Sequence, residues 1–241
     1  MSSTGILPPV TDPLPDSVLE ALRAFDTPTI CNAMEIVAPE RRLTGYTVKP
    51  LVSTFPDQPP IDGYASTATI RAVSPPDAGA RDRQAAYYEY VGAGPGPTIS
   101  VIQDLDGANV GHGCFWGEVN STVHRALGCL GVITDGAIRD IPQWAPGFQA
   151  LAGSIAPSHA WVHLQSFDEP VTVAGMAVRP GDLIHADSHG AIVVPFEAAD
   201  KLPAACDVLM RREAVILDVA RSADFSIDAL KAAMARSAEI H

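Results

Sequence analysis

The chain is short of positive charge and of the motifs that mark common enzyme classes. Its 16 Lys and Arg stand against 28 Asp and Glu, a formal net charge of -12 over 241 residues. That balance argues against a broad nucleic-acid surface, and an anionic small molecule would need a local cation to be held. Cys31, Cys114, Cys129 and Cys206 are scattered with no CxxC pair. A disulfide framework or a zinc site is therefore not expected, and reduced core thiols are. The sequence has no basic-plus-apolar leader and no apolar run of membrane-spanning length, so the expectation is a soluble cytoplasmic protein without a membrane partner. None of the seven histidines falls in an H-E-x-x-H or H-x-H pattern, and G-x-S-x-G is missing. A zincin and a serine hydrolase are thus disfavoured. Gly92–Pro97 lacks the Lys-Ser/Thr of a phosphate loop and reads as a tight turn.

What is present is a core-forming chain, 47% hydrophobic, long enough for one large domain or two small ones. Pro8, Pro9, Pro13 and Pro15 make residues 1–15 an extended lead-in. Ser17 and Glu20 form a capping-box pattern ahead of Leu19, Leu22 and Phe25. Thr27-Pro28 restarts a helix, with Thr27 as its cap and Ile30, Ala33, Met34 and Val37 as its buried face. Asn32 in that helix makes either a structural contact or a ligand contact. Residues 38–60 read as irregular, with a strand near Tyr46–Val52. Strand patterns follow at 63–73 and 98–105, separated by a helix over 81–91 that ends in Tyr87, Tyr88 and Tyr90. Those tyrosines suit packing at a core or subunit boundary, or a ligand-stacking cluster. Residues 149–195 are rich in strands and turns, with turns at Pro180–Asp182 and Asp187–Gly190. Amphipathic helices are expected over 196–221 and 226–238.

The chemistry concentrates in Gly117–Asp140, GEVNSTVHRALGCLGVITDGAIRD. A glycine-spaced loop, Gly111–Gly117, leads into a helix headed by Glu118, with Val119, Val123, Ala126 and Leu127 at helical spacing. The amides of Val119 and Asn120 at that helix start suit a carboxylate. An apolar run from Cys129 breaks at Asp135-Gly136, and Arg139-Asp140 follows. If the chain doubles back, Glu118 and Asp140 face one pocket, where two carboxylates and an arginine suit a hard cation and an anionic substrate. His112 and His124 flank the loop and are candidates for the same pocket.

The frame Gly117-Glu118, then Gly128-x-x-Gly131-x-Ile133-x-Asp135-Gly136-x-x-Arg139-Asp140, resembles the RraA-like family. That family holds 4-hydroxy-4-methyl-2-oxoglutarate aldolases and the regulator of ribonuclease E activity. Phe25–Met34, Ile61–Thr69 and Arg179–Pro195 are similar to three further family blocks, so the likeness runs over roughly residues 20–200. It implies an α/β fold, a β/β/α swivelling-type domain over 16–200 with flanking N- and C-terminal helices, the latter a helical extension over 201–241. It also implies a homotrimer or a homohexamer of paired trimers.

The chemistry implied is that of a class II-type aldolase or oxaloacetate decarboxylase-like lyase. Magnesium or manganese would be held by Asp140, and by Glu118 through water. Arg139 would bind the 2-oxo acid and steady the enolate, Glu118 would relay the proton through water, and Gly117, Val119 and Asn120 would hold the substrate carboxylate. The implied reaction cleaves a C–C bond of a 2-oxo acid to pyruvate. The alternatives are a regulatory binding protein of the ribonuclease-inhibitor branch, or an enzyme whose substrate packs its distal end against Tyr87, Tyr88 or Trp116. Glu118 departs from the aspartate common in the aldolases.

Overall fold

In the computed structural model, which describes residues 13–241, the chain opens on two helices, α1 (Asp16–Leu22) and α2 (Thr27–Val37). Residues 1–12 of the expected lead-in lie outside the described residues. Two of the expected helix starts are corrected. Pro15 caps α1 without a side-chain bond, because its fixed φ already sets the entry to the helix, so the Ser17/Glu20 box is not used. For α2 the cap is Asp26, whose carboxylate accepts the Thr29 N–H at 2.9 Å. The Thr27 N–H instead donates to Asp187 Oδ2 at 2.8 Å. The strand expected near 46–52 shrinks to β1 (Val52–Ser53), and Tyr46 adds a single bridge to Ile192.

The chain continues through β2 (Ile61–Arg71), α3 (Ala80–Gly92), β3 (Thr98–Asp104), β4 (Cys114–Trp116), α4 (Glu118–Ala126) and β5 (Cys129–Ile138). Then come β6 (Gln149–Ile155), β7 (His163–Phe167), β8 (Val171–Val173), β9 (Met176–Val178), β10 (Leu183–Asp187) and β11 (Gly190–Val194). Helices α5 (Phe196–Ala199), α6 (Leu202–Ala220) and α7 (Ile227–Ala238) close it. The single helix expected over 196–221 is interrupted between α5 and α6, where Pro203 in the first turn of α6 has no N–H to continue a helical ladder.

The main sheet runs β1-β6-β5-β3-β2-β10-β11, with β4 on β5 and β7 on β2. Its centre, β2, β3, β5 and β6, is parallel and buried on both faces. For that reason β2 reads as a continuous buried run rather than an alternation. One face packs on α3 and α4 through Tyr87, Trp116 and Phe148. Elsewhere Ile99, Val101 and Ile133 meet the β8–β9 hairpin. Under α1 and α2, Leu19, Leu22 and Ile30 share a core with Leu202 and Cys206 of α6. The four cysteines are free, and burial is the leading cause pushing the Cys31 thiol up to about 11 and the Cys206 thiol up to about 12.

Strand β10 was hidden between two turn signals. More consequentially, β5 does not break at Asp135-Gly136. It crosses them as a bulge, with the register to β6 shifting between Thr134 and Ala137. Opposite lies Gly153, where a Cβ would meet the Asp135 carbonyl at 2.0 Å. Only glycine permits that approach, and the extra residue carries β5 on to Ile138.

Candidate functional site

The bulge delivers Arg139 and Asp140 to the end of β5, beside the end of β4. The Arg139 N–H donates to the Trp116 carbonyl at 3.0 Å, and its own carbonyl accepts from Trp144 Nε1 at 2.6 Å. Held between two tryptophans, the backbone leaves the guanidinium as the free part. Arg139 Nε lies 3.4 Å from Asp140 Oδ2, both side chains being partly exposed. Asp140 sits at φ 56°, ψ 31°, a left-handed conformation that short polar residues tolerate and most others do not. Together they line an open cavity of about 470 Å³ with Ile155, Ala156 and Pro157.

Gly117 ends β4 in extended backbone and stands against this pair. A Cβ there would meet Asp140 Oδ2 at 2.6 Å and Arg139 Cγ at 3.4 Å. The Asp140 carboxylate is therefore set against the backbone one residue before Glu118, the exposed first residue of α4. The two ends of Gly117–Asp140 do come together. Val119 is exposed, and the buried positions of α4 are Ser121 and His124 rather than the expected apolar stripe. Asn120 has its side chain engaged: its Oδ1 accepts from the Tyr88 hydroxyl at 2.7 Å, and its Nδ2 donates to the Phe115 carbonyl. What it offers a ligand is its main chain.

Among the described residues no group of three or more His, Cys, Asp and Glu converges as a metal-holding set. Among the described residues the Asp140 carboxylate makes no hydrogen bond beyond the Arg139 approach, and Glu118 stands exposed at the start of α4. A carboxylate at Asp140 and another at Glu118, one residue beyond the Gly117 backbone that Asp140 packs against, suit magnesium or manganese, which keep several waters. They do not fit zinc, which wants three or four protein ligands.

Other candidates are placed elsewhere. His124 is core: Nδ1 donates to the Asn120 carbonyl at 2.7 Å, so Nε2 accepts from the Tyr87 hydroxyl at 3.2 Å. Burial holds the imidazole down at about 4, against the opposing Asn120 hydrogen bond. Tyr87 and Trp116 are fully buried, and the Tyr90 hydroxyl accepts from the Thr67 N–H. His112 is exposed. Asp135 turns to another cavity, of about 350 Å³, beside Asp104 and Lys49, where burial raises both carboxyls. Of the three tyrosines Tyr88 lines a pocket, one of about 370 Å³ that sequence reasoning did not foresee, lined also by Gln84, Phe115 and Trp161. That pocket and the Arg139 cavity share a wall, since Cys114 of the first donates its thiol to the Ala156 carbonyl of the second at 2.9 Å. Burial raises the Cys114 thiol, which disfavours its thiolate.

The family profile described as RraA-like, Aldolase/RraA, matches residues 27–193, from α2 to β11. The chain is an RraA-like protein. Its fold is also that of solved structures. One is an uncharacterized protein from Pseudomonas syringae pv. tomato, at TM-score 0.70 and 21% identity, over 95% of this chain and 98% of that one. Another is RraAS2 of Streptomyces coelicolor, described as an unusual member of the RNase ES inhibitor RraA family. It aligns at TM-score 0.65 and 23% identity, over 85% of this chain and 98% of that one. A protein of Halalkalibacterium halodurans with the provisional name 4-hydroxy-4-methyl-2-oxoglutarate aldolase is 34% identical over 73 residues, 30% of this chain and 35% of that protein. The RraA-like chain matches half or less of the length of such curated relatives. No helix among the described residues is long and apolar enough to cross a membrane.

Proposed function

We propose that this RraA-like chain is a divalent-metal-dependent lyase that cleaves a C–C bond of a 2-oxo acid and releases pyruvate, by retro-aldol cleavage and also by decarboxylating oxaloacetate. The observation that supports it is the packing of Asp140 and Arg139 against Gly117 at the head of α4. This sets a carboxylate and a guanidinium against the backbone at Gly117, one residue before the first turn of α4, a placement that supports their acting with its amides. Magnesium or manganese, held by Asp140 and through water by Glu118, would supply Lewis-acid polarisation of the 2-oxo group. The Val119 and Asn120 N–H groups receive the substrate carboxylate, aided by the positive end of the helix. Arg139 neutralises the enolate oxygen as the C3–C4 bond breaks, a charge that exists only once reaction is under way. Glu118 takes the C4 hydroxyl proton through a water.

The test is pyruvate release from 4-hydroxy-4-methyl-2-oxoglutarate and from oxaloacetate, with magnesium present and after chelation. Asp140→Asn is the informative variant, because asparagine tolerates the left-handed backbone that alanine would strain. Pyruvate formed at the wild-type rate by Asp140→Asn and Arg139→Ala would refute the assignment. Ribonuclease capture that ignores metal, with no 2-oxo acid turned over, would favour the regulatory branch. We further propose a homotrimer or homohexamer, which light scattering would test.

A further inference from the structure

The pocket behind Cys114 decides what lies beyond C4 of the substrate. We infer that it takes an uncharged, flat aryl group, so that the physiological substrate class is 4-aryl-4-hydroxy-2-oxo acids rather than dicarboxylic 2-oxo acids. This inference rests on the lyase reading and names the substrate's distal half.

Its position comes first. The pocket shares the Cys114–Ala156 wall with the Arg139 cavity, and it contains Asn120, whose amide lies in the helix start proposed to hold the carboxylate. A substrate anchored at that helix start has its far end within reach of this space. Lining chemistry comes second. Tyr88, Phe115 and Trp161 give it three aromatic walls, and among the described lining residues there is no lysine or arginine. Of its polar lining groups the Asn120 side chain is tied to Tyr88 and Phe115, while His159 and the buried Gln84 Nε2, without a partner among the described residues, are left to meet a polar ring substituent. A second carboxylate there would shed water and meet no guanidinium or ammonium among the described lining residues, which is unfavourable. A ring would stack on aromatic walls at no such cost.

Size agrees. An apolar cavity of about 150 Å³ suffices for benzene, and this one has about 370 Å³, room for a substituted ring. The third observation is Trp161, which stands 57% exposed on a turn whose preceding residue, Ala160, is left-handed at φ 46°. That turn is pinned at both ends: the Cys114 N–H donates to the Ser158 carbonyl at 2.9 Å and the Trp161 N–H to the Ala72 carbonyl at 3.0 Å. A large indole held out over a cavity in a strained turn is a feature that a ligand would explain.

The reaction balances without a co-reactant. In 4-hydroxy-2-oxo-4-phenylbutanoate the C4 hydroxyl loses its proton, the C3–C4 pair moves onto C3, and C4 becomes the carbonyl of benzaldehyde. The enolate then takes a proton at C3 to give pyruvate.

The experiment compares kcat/KM of the full-length protein with magnesium for three substrates: this aryl acid, 4-hydroxy-4-methyl-2-oxoglutarate, and oxaloacetate. A preference of tenfold or more for the aryl acid over the dicarboxylic aldol is expected. Trp161→Ala, at an exposed position, should raise KM for the aryl acid about tenfold more than it shifts KM for oxaloacetate. Gln84→Arg should move preference toward the dicarboxylic acid. Turnover of oxaloacetate and the dicarboxylic aldol with no aryl preference overturns the inference and leaves the lyase reading standing. If nothing is turned over, the lyase reading fails, and calorimetric binding of 2-oxo-4-phenylbutanoate against 2-oxoglutarate decides the pocket alone. Tighter binding of the phenyl acid, lost in Trp161→Ala, supports it, and equal or weaker binding overturns it.

Discussion

On one side of the Cys114–Ala156 contact the chain presents Arg139 and Asp140, and on the other Tyr88, Phe115 and Trp161. The first opening carries charge with few partners, the second carries rings and a spent amide. The first takes its charged groups from one continuous stretch of 24 residues, 117–140, whereas the second draws its rings from α3, β4 and the turn before β7. A short contiguous segment can keep the groups that act on the bond being broken in fixed relation. A pocket drawn from distant segments can alter its walls one at a time without disturbing that relation, so on the proposed reading reaction type and substrate choice would be separable.

That separation can be broken or sharpened by experiment. The largest effect expected is on the charged side: Arg139→Ala should lower kcat by about 10²–10³-fold, the loss typical of a group that stabilises a developing oxyanion. In the same variant, binding of an aryl ligand should change far less. Next is His124, which lies behind both openings, its ring 4.4 Å from that of Trp116 and 5.5 Å from that of Tyr88. Its folded value, about 4, lies below the ordinary 6.5, so the unfolded chain takes up the proton first as pH falls. The stability it contributes is whole above about pH 6.5 and drains away toward pH 4, up to about 3 kcal/mol. Denaturant titrations from pH 7.5 to 4.5 should show that slope flattened in His124→Gln.

A smaller effect is expected from Gly117→Ala, which presses a methyl group on Asp140 Oδ2. Displacing one flexible carboxylate should leave the melting temperature nearly unchanged while lowering kcat on the order of tenfold. A fall in stability without a fall in rate would mean that Asp140 is not where the reaction happens. The smallest is Tyr88→Phe, which removes a 2.7 Å hydrogen bond worth about 1 kcal/mol and should change aryl selectivity more than rate.

The charged side was legible in the sequence, because Glu118, Arg139 and Asp140 flank one helix and strand that had to return. The aromatic side was not: nothing local joins Gln84 in α3 to Trp161, and the β2–β7 pairing together with the Arg83 bond to the Leu164 carbonyl brings their segments together. Of the tyrosines, Tyr88 faces a pocket while Tyr87 is fully buried, a difference that residue type alone does not reveal. Turn signals misled twice in the same way. Asp135-Gly136 marked a bulge rather than an ending, and the turns flanking Leu183–Asp187 concealed a strand whose five residues are all buried. There, sheet pairing on both sides outweighed local preference. Helix α2 and strand β2 were readable because their own periodicity and run length match their burial.

The left-handed turn at Asp140 has an evolutionary corollary. A backbone at φ 56° admits glycine, asparagine and aspartate at little expense and resists nearly every other side chain. Drift at this position can therefore extinguish the charge in one step but can scarcely lengthen or replace it. Glu118, on an ordinary helical backbone, is free to trade a methylene with aspartate. On the proposed reading, variation in how the site reaches its ligand should accumulate at 118, while 140 would behave as a switch between a working and a silent copy.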